Sequence, residues 1–328
     1  MNPTPERTAY PPVSVIMPIL NEEGHLEEAV SSVLAQDYPG GMEVVVAVGP
    51  SRDRTREVAD RLAAGDPRVL VVDNPGGRTP DGLNAALAAS HHEVVVRMDG
   101  HGAMSEGYVR RAVEILAETG AANVGGLMLA EGSTDMQQAV AVAMRSPLGI
   151  GGARFHVGGR AGPAETVFLG VFRRAWLAKV GGYDPAYTRA QDWELNHRIR
   201  KAGGVVWFTP ELTVTYRPRS SFADLARQFY TSGQWRRQVV RQHPDSVNAR
   251  YLAPPAALAL VVGGAVGGLL SRPLWVLPLG YAGAVTLGGA WISRGQGLGV
   301  RARMPAVLAT MHLMWGAGFL RGPDAPPR

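Results

Sequence analysis

The stretch Val13-Ser-Val-Ile-Met-Pro-Ile-Leu-Asn21-Glu22 is an apolar, β-rich run that passes directly into polar residues. Three similar runs follow within the first hundred residues. Strands are therefore predicted at 13–17, 43–48, 69–72 and 93–98. Each is mostly valine or isoleucine, which is typical of strands covered on both faces in a parallel sheet.

Helical patterns separate these strands. Leu26, Ala29, Val30 and Val33 recur at helical spacing and form one apolar stripe, and further helices are expected at 51–63 and 82–89. The alternation predicts an α/β fold with a Rossmann-like sheet flanked by helices. Farther along, the pattern indicates helices at 190–202 and 222–242, a strand at 205–208, and a glycine-rich segment at 149–162. That segment is typical of either a mobile loop near a site or a surface linker.

Polar residues stand at the carboxyl end of each predicted strand. They are Asn21 and Glu22, residues 49–53, Asp73 and Asn74, and residues 99–101. Ligands of open α/β sheets bind beyond the carboxyl ends of the strands. These positions are therefore candidates for a functional site.

The composition excludes several classes of function. The chain has no cysteine, which excludes disulfides, thiolate metal sites and cysteine nucleophiles. Its formal net charge is +5, but no basic run interleaves with aromatic residues, so no nucleic-acid partner is expected. Residues 1–12 lack an apolar core of signal-peptide length and are expected to form a flexible N-terminus.

The last part of the chain differs in composition from the rest. From Tyr251 to Leu320 it has no acidic residue and four arginines. Segments 252–270 and 274–292 are 19 uncharged residues each, which at about 1.5 Å per residue nearly match a bilayer core of about 30 Å. They predict a transmembrane hairpin with a tight joint at 271–273, or else a buried soluble hairpin. A weaker third run, 304–320, could span the membrane, lie at its interface or enter it partway.

Arginines flank this hairpin on one side. They are Arg236, Arg237, Arg241 and Arg250 before it and Arg294, Arg301 and Arg303 after it. The positive-inside rule makes that side cytoplasmic. The expected organisation is a cytoplasmic domain over 13–250 and a membrane region over 251–322, in a multi-pass protein of the cell membrane that contacts membrane lipids.

The segment Arg97-Met-Asp99-Gly-His101 closes the fourth predicted strand. A carboxylate and an imidazole two residues apart suit a divalent cation that holds a diphosphate. Oxygen and nitrogen ligands of this kind fit Mn²⁺ or Mg²⁺. Asp-Gly after a strand is also a common turn sequence. The triplet alone therefore does not distinguish a metal site from a turn.

The context of this triplet is a series of segments that resembles the family 2 glycosyltransferases. The segments are 13–22, the Ser51-Arg-Asp53-Arg-Thr55 turn, Gly82-Leu-Asn84, Asp99-Gly-His101 and Gln191-Asp192-Trp193-Glu194-Leu195. More narrowly, residues 168–174, 181–184, 191–204 and 233–244 are similar to the succinoglycan-type glucosyltransferases of bacterial exopolysaccharide synthesis. The resemblance covers residues 12 to 245, roughly, and extends to the apolar tail. It implies a GT-A fold with a mixed sheet, and a nucleotide-sugar donor.

The resemblance also implies the residues that hold the donor. Pro18, Asn21, Glu22, Asn84 and Asp99 would contact it, and Asp99 and His101 would bind the metal, with His101 in place of the family's usual second aspartate. Pro18, Asn21 and Glu22 could instead have a purely structural role, in which they end a strand and start a helix. Asn84 could instead pack within its helix.

Asp192 matches the family's catalytic base, with Gln191 in place of the usual glutamate. The chemistry needs a carboxylate within hydrogen-bond reach of the acceptor hydroxyl, opposite the departing diphosphate, so that one displacement inverts the anomeric carbon. Glu194 is the rival base. Its structural alternative is a salt bridge to Arg198, and that of Asp192 is a helix N-cap.

The segment Gly233-Gln-Trp235-Arg236-Arg237 resembles the Gln-x-x-Arg-Trp element of processive synthases, in a different order. Trp235 could stack on an acceptor sugar, and Arg236 or Arg237 could meet phosphate. The alternative is an interfacial helix anchored by Trp and Arg.

These features together predict a metal-dependent, inverting hexosyltransferase. Its donor is expected to be a UDP-sugar, although Val48 stands where the family often has a base-reading aspartate. Its acceptor is expected to be a lipid-linked saccharide or polysaccharide at the cytoplasmic membrane face. The alternatives are a polyprenyl-phosphate glycosyltransferase and a catalytically silent nucleotide-sugar-binding subunit. An NAD-dependent dehydrogenase is disfavoured because no Gly-x-Gly-x-x-Gly follows the first strand.

Overall fold

A computed structural model describes residues 10–323. The chain divides into two compact units, the first formed by residues 10–128 and 159–215 and the second by residues 129–158 and 216–323. Of the expected flexible N-terminus, residues 1–9 lie outside the described part.

The strands and helices follow one another along both units. The strands are β1 (Val13–Ile19), β2 (Met42–Val48), β3 (Val69–Asp73), β4 (Val94–Arg97), β5 (Ala103–Met104), β6 (Asn123–Ala130), β7 (Gly162–Pro163), β8 (Phe168–Arg173) and β9 (Val206–Tyr216). The helices are α1 (Leu26–Leu34), α2 (Thr55–Gly65), α3 (Thr79–Ala89), α4 (Tyr108–Thr119), α5 (Asp135–Met144), α6 (Pro147–Ile150), α7 (Arg154–Val157), α8 (Arg174–Val180), α9 (Gln191–Lys201), α10 (Phe222–Gln242), α11 (Ala249–Leu270), α12 (Val276–Ile292) and α13 (Leu298–Arg321). Short 3₁₀ turns lie at Pro244–Ser246 and Arg272–Trp275.

The strands form a nine-stranded mixed sheet in the order β3-β2-β1-β4-β8-β6-β9-β5, with β7 paired to β9. The pairs among β1, β2, β3 and β4 are parallel, whereas β8 pairs with β4 and β6 in antiparallel fashion. The predicted α/β fold with a mixed sheet flanked by helices is confirmed.

The central strand β1 is buried on both faces, as its sequence predicts. Val15 and Met17 belong to the main apolar cluster together with Leu26 of α1. Successive side chains of a strand point to opposite faces, and on the other face α3 packs on β1 with Gly82 against Pro18. Burying each large apolar side chain contributes about 1.5–3 kcal/mol to the stability of the fold. The buried strand β1 therefore fixes the start of the loop that follows it at the carboxyl edge of the sheet.

Some predicted bounds differ from the structure. The helix expected from residue 51 begins at Thr55, because residues 51–54 form a turn whose groups bond to the loop after β1. The strand expected at 205–208 is the eleven-residue β9. The loop expected at 149–162 is partly wrong, since it holds the end of α6 and all of α7.

In the second unit, α13 packs against α5, α10, α11 and α12. Gly233 of α10 lies against the backbone of Trp315, and Gly318 of α13 lies against the backbone of Tyr230. Glycine at both positions lets the two helix backbones approach closely, because a Cβ at either would meet a carbonyl group. The third apolar run, 304–320, therefore lies in an internal helix whose buried residues include Met304 and Met311.

Two helices of the described residues are long and apolar enough to cross a membrane, Ala249–Leu270 and Arg272–Ile292. They correspond to the predicted hairpin, and its joint is one 3₁₀ turn. Their outer surfaces are apolar and exposed, with Leu270 at 92% and Leu287 at 75% of full exposure. The run at 304–320 is not among these candidate spans.

Candidate active site

Three polar loops meet at the carboxyl ends of the neighbouring parallel strands β2, β1 and β4. The loop after β1 turns at Asn21, whose φ of +56° is a left-handed conformation that asparagine tolerates. The Asn21 amide N–H donates to Ser51 Oγ at 3.0 Å, and the Asn21 side chain accepts from the Arg52 amide at 2.8 Å. This reciprocal pair fixes the loop after β1 to the loop after β2.

The Ser51–Thr55 turn is built around Asp53. Its carboxylate accepts bonds from the amide and the hydroxyl of Thr55 and from the amide of Glu23. The Thr55 hydroxyl is the main reason why the pKa of Asp53 lies below its usual value. The same hydroxyl oxygen accepts from the Glu22 amide at 2.7 Å, so the turn orients the backbone of Glu22.

The Glu22 side chain reaches the loop after β4. Its Oε1 lies 2.8 Å from Nδ1 of His101, and the Glu22 side chain is 17% exposed. Gly100 permits this contact, because a Cβ there would lie 3.2 Å from Glu22 Cγ and closer still to Ile19 Cδ1. A carboxylate that bonds one nitrogen of an imidazole fixes the ring's orientation.

Arg97, the last residue of β4, lies at the centre of the site. Its Nε and Nη2 donate to Asp99 Oδ1 at 3.2 and 3.1 Å, and its Nη1 donates to Asp192 Oδ1. The Arg97 side chain is 3% exposed, whereas those of Asp99 and Asp192 are 24% and 25% exposed. One buried guanidinium thus joins two carboxylates that are 93 positions apart in the sequence, both of which reach solvent.

Tyr183 and Asn84 support this guanidinium. The Arg97 guanidinium carbon lies 6.0 Å from the centre of the Tyr183 ring, and burial raises the pKa of Tyr183 to about 12. The Asn84 amide accepts from the Tyr183 N–H at 2.9 Å and donates to the Tyr183 carbonyl at 2.7 Å. Asn84 therefore holds Tyr183 in this structure, while its expected contact with the donor stays a prediction.

Asp192 lies in the first turn of α9 and not at its N-cap, which is Ala190. Ala190 has a φ of +60°, a left-handed conformation that costs a non-glycine residue about 1–3 kcal/mol. Such strain is concentrated at functional sites, and here it directly precedes Gln191 and Asp192.

Glu194 lies on a different side of the same turn. It is 2% exposed, and its two oxygens accept from Nε and Nη2 of Arg198 at 2.6 and 2.7 Å. Arg198 also donates to the carbonyl of Gly182 at 2.8 Å. The structure thus supports the ion pair that was the structural alternative for Glu194, and we do not retain Glu194 as a rival base or acceptor contact.

The expected acceptor residues Trp235, Arg236 and Arg237 all lie on α10, in the second unit. Arg237 donates to the Phe319 carbonyl at 3.2 Å near the end of α13, where a positive charge is favourable to the helix dipole. The Arg236 guanidinium stacks over the Tyr251 ring at 4.2 Å. Both arginines therefore have contacts within that unit, and their binding of acceptor phosphate stays a prediction.

Sequence reasoning missed the role of Arg97. The residue stood in the quoted segment, but no function was assigned to it. The available signal was its place as the one charged residue of an otherwise all-valine buried strand. A fully buried arginine is rare unless it is paired, so its position alone called for carboxylate partners.

Comparison with known proteins gives the family. The family model described as "Glycosyl transferase family 2" matches residues 14–181. The succinoglycan biosynthesis protein ExoA of Rhizobium meliloti (strain 1021) is 34% identical over 94% of this chain and 93% of its own. A Methanococcus voltae protein is 21% identical over 79% of this chain and 82% of its own. It is named a dolichyl N-acetyl-alpha-D-glucosaminyl phosphate 3-beta-D-2,3-diacetamido-2,3-dideoxy-beta-D-glucuronosyltransferase.

Solved structures share the fold. The mannosyltransferase PcManGT from Pyrobaculum calidifontis, in complex with GDP-Man and Mn²⁺, matches with a TM-score of 0.63 and 22% identity over 96% of this chain and 87% of its own. Staphylococcus aureus TarS 1–349, in complex with UDP, matches with a TM-score of 0.51 and 16% identity over 94% and 91%. At these identities the likeness supports the GT-A fold alone. From the family match and the relative that is similar along nearly its whole length, the chain belongs to the family 2 glycosyltransferases and is similar to an exopolysaccharide biosynthesis protein.

Proposed function

We propose that the protein transfers a hexose from a nucleotide sugar to a lipid-linked saccharide or polysaccharide, with inversion at the anomeric carbon. The observation that carries this proposal is the pair of partly exposed carboxylates, Asp99 and Asp192, at the carboxyl edge of the sheet and joined by one guanidinium. Asp99 would hold the donor diphosphate through a divalent cation, and Asp192 would accept the proton of the acceptor hydroxyl.

A single carboxylate base is enough for this chemistry. When the acceptor oxygen attacks the anomeric carbon, its proton passes to Asp192 and the nucleotide diphosphate leaves from the opposite face. The hydrogen bond from Arg97 to Asp192 Oδ1 holds the carboxylate in place at this edge of the sheet. Glu194 is unsuited to this role, because both of its oxygens are engaged by Arg198.

The residues at this edge fit a divalent cation. Asp99 offers a carboxylate and His101 an imidazole, the donor types that suit Mn²⁺, and Glu22 would orient the imidazole ring in the manner of carboxylate–histidine metal sites. A bound Mn²⁺ or Mg²⁺ would supply positive charge to the departing diphosphate. The Mn²⁺ of PcManGT supports the same assignment for this chain.

The acceptor and the membrane location rest on the second unit. The exposed apolar surfaces of α11 and α12 suit lipid, and the arginines at one end of the hairpin favour the cytoplasmic side. The names of the Rhizobium and Methanococcus relatives, which refer to succinoglycan synthesis and to a dolichyl sugar phosphate, agree with a polysaccharide or lipid-linked acceptor.

The donor is tested with membranes that contain the protein and a panel of labelled UDP- and GDP-hexoses, each with Mn²⁺, with Mg²⁺ or with chelator. We expect one donor to label a lipid-extractable or polymeric product only when metal is present. The Asp192→Asn variant is the matched control, and it should bind the same donor without forming product. Hydrolysis or binding of donors without transfer to any acceptor would contradict the proposal and favour a silent subunit.

The membrane location is tested with single cysteines, since the chain has none of its own. Ser271 lies at the joint of the hairpin, and Gln296 lies in the exposed loop after α12. In intact cells, a membrane-impermeant maleimide should label Ser271→Cys and should label Gln296→Cys only after lysis. Labelling of both only after lysis, or the reverse pattern, would overturn the proposed topology.

A further inference from the structure

We propose that Arg97 is a positioning residue, whose guanidinium fixes the carboxylate of Asp192 relative to that of Asp99 for the transfer step. This inference rests on the proposed function and deepens it, since it names a residue that would act through the two carboxylates. Arg97 is the buried group, and the two carboxylates are the exposed ones. It therefore acts through them and does not face the substrates.

Burial makes the pairing of Arg97 obligatory. A guanidinium that is 3% exposed costs several kcal/mol to desolvate unless its N–H groups are paired. β4 is hydrogen-bonded to β1 on one side and β8 on the other, so the backbone that carries Arg97 is held in place. A fixed cation at the end of a central strand then determines where its anions lie.

The guanidinium presents two different edges to the two carboxylates. Nε and Nη2 meet Asp99, and Nη1 meets Asp192. The group is planar and rigid, so the two acidic side chains keep a constant relation. Both contacts use Oδ1 oxygens, which leaves Oδ2 of Asp192 to receive the acceptor proton.

Tyr183 lies next to this guanidinium, with its ring centre 6.0 Å from the guanidinium carbon. The ring is 1% exposed, and its backbone is bonded in both directions by Asn84 of α3. Arg97 is therefore held by its own strand, β4, and is bordered by Tyr183, which Asn84 of α3 holds in place. Lysine could keep the positive charge but would offer a flexible point charge in place of a rigid fork.

Arg174 offers a matched control in the same unit. It is partly buried and makes three hydrogen bonds, which go to the carbonyls of His92 and Leu87 and to the hydroxyl of Ser90. None of these partners is a carboxylate of the candidate site. Arg174→Lys should therefore report the structural cost of replacing a partly buried, hydrogen-bonded arginine, without an effect on the base.

The experiment compares Arg97→Lys and Arg174→Lys in the full-length, membrane-embedded protein. It measures kcat, KM for the donor, the donor dissociation constant by titration calorimetry, and the apparent Tm. We expect kcat of Arg97→Lys to fall about 100-fold, the loss that a misplacement of about 1 Å can cause, with a donor dissociation constant within about threefold of wild type. Arg174→Lys should keep kcat within about threefold while its Tm falls. If Arg97→Lys does not fold, Arg97→Gln, which keeps planar N–H donors, replaces it.

A double variant tests whether Arg97 acts through Asp192. If it does, Arg97→Lys combined with Asp192→Asn should be no slower than Asp192→Asn alone. Unchanged kcat in Arg97→Lys, or a donor affinity that falls in proportion to kcat, would overturn the positioning role and leave the proposed function intact. A wild-type protein that transfers no sugar from any donor would overturn both.

Discussion

The first turn of α9 carries two acidic residues, Asp192 and Glu194, whose surroundings differ completely. Asp192 is a quarter exposed and shares the guanidinium of Arg97 with Asp99. Glu194 is buried, and Arg198 of its own helix engages both of its oxygens. On a helix, side chains two residues apart do not face each other, so one turn can present a reactive carboxylate on one side and a closed ion pair on the other.

The difference teaches how to separate a functional carboxylate from a structural one. The charge of Glu194 is neutralised by a neighbour one helical turn away, and its arginine also bonds a backbone carbonyl, so the pair is complete by itself. The partners of Asp192 come from a distant strand, and the side chain reaches solvent. Four substitutions test this contrast, and they follow from the largest expected effect to the smallest.

Asp192→Asn should give the largest effect. Asparagine keeps the shape and can still bond Arg97, but it cannot accept the acceptor proton, so kcat should fall about 10²–10⁴-fold. Donor affinity and Tm should stay close to wild type. Turnover with a saturating donor, together with calorimetric donor binding, checks this, and turnover within tenfold of wild type would remove Asp192 as the base.

Glu194→Gln should act on stability and not on chemistry. It leaves the Arg198 charge without its carboxylate, which we expect to cost about 3 kcal/mol and to lower the apparent Tm by about 6–12 °C. Thermal unfolding of the purified protein gives the shift. The double variant with Arg198→Met is the control and should recover part of the loss. A wild-type Tm combined with a hundredfold loss of kcat would reverse the assignment of the two carboxylates.

Asn196→Ala tests the buried underside of α9. Asn196 is 1% exposed, accepts from Asn123 Nδ2 at 2.7 Å and donates to Thr166 Oγ1 at 2.9 Å. Removing its amide leaves the buried Asn123 donor unsatisfied, at a cost of about 2 kcal/mol. Thermal unfolding should register this loss, while kcat below the melting range stays within about threefold. Thr166→Val, which removes one bond only, should cost less than Asn196→Ala; an equal or larger cost would contradict this account.

Tyr183→Phe should have the smallest effect. The Tyr183 hydroxyl is buried without a hydrogen-bond partner among the described residues, whereas the ring faces Arg97. Phenylalanine keeps that ring, so stability should change by less than about 1 kcal/mol and kcat by less than about twofold. Tyr183→Leu removes the aromatic face and should lower kcat more. Equal effects of the two variants would show that the ring does not support Arg97.

Local pattern predicted much of the fold. The parallel strands were recognisable because strands buried on both faces are mostly valine and isoleucine, and α1 because its buried residues form one stripe. The Glu194–Arg198 pair could also be anticipated, since it depends only on helical spacing within one segment. The two helices that are long and apolar enough to cross a membrane could be anticipated from two uncharged runs.

The centre of the site could not be predicted in the same way. Asp99 is two residues from Arg97, but Asp192 is 95 residues away and is brought to Arg97 by the position of α9, which local sequence patterns do not give. The hydrogen bond between Asn84 and Tyr183 joins residues 99 positions apart. It depends on how distant segments pack together, which local sequence patterns do not give. The short helices α6 and α7 were hidden because glycine-rich composition normally indicates a loop.

The stereochemistry of the product tests the central claim most directly. If Asp192 is the base of a single displacement, an α-linked nucleotide sugar must give a β-linked product, because attack and departure occur on opposite faces. The anomeric proton coupling of the first-formed product, measured by NMR before any equilibration, reports this configuration. A β linkage is the result that this account predicts. An α linkage would require a different mechanism and would contradict the role given to Asp192.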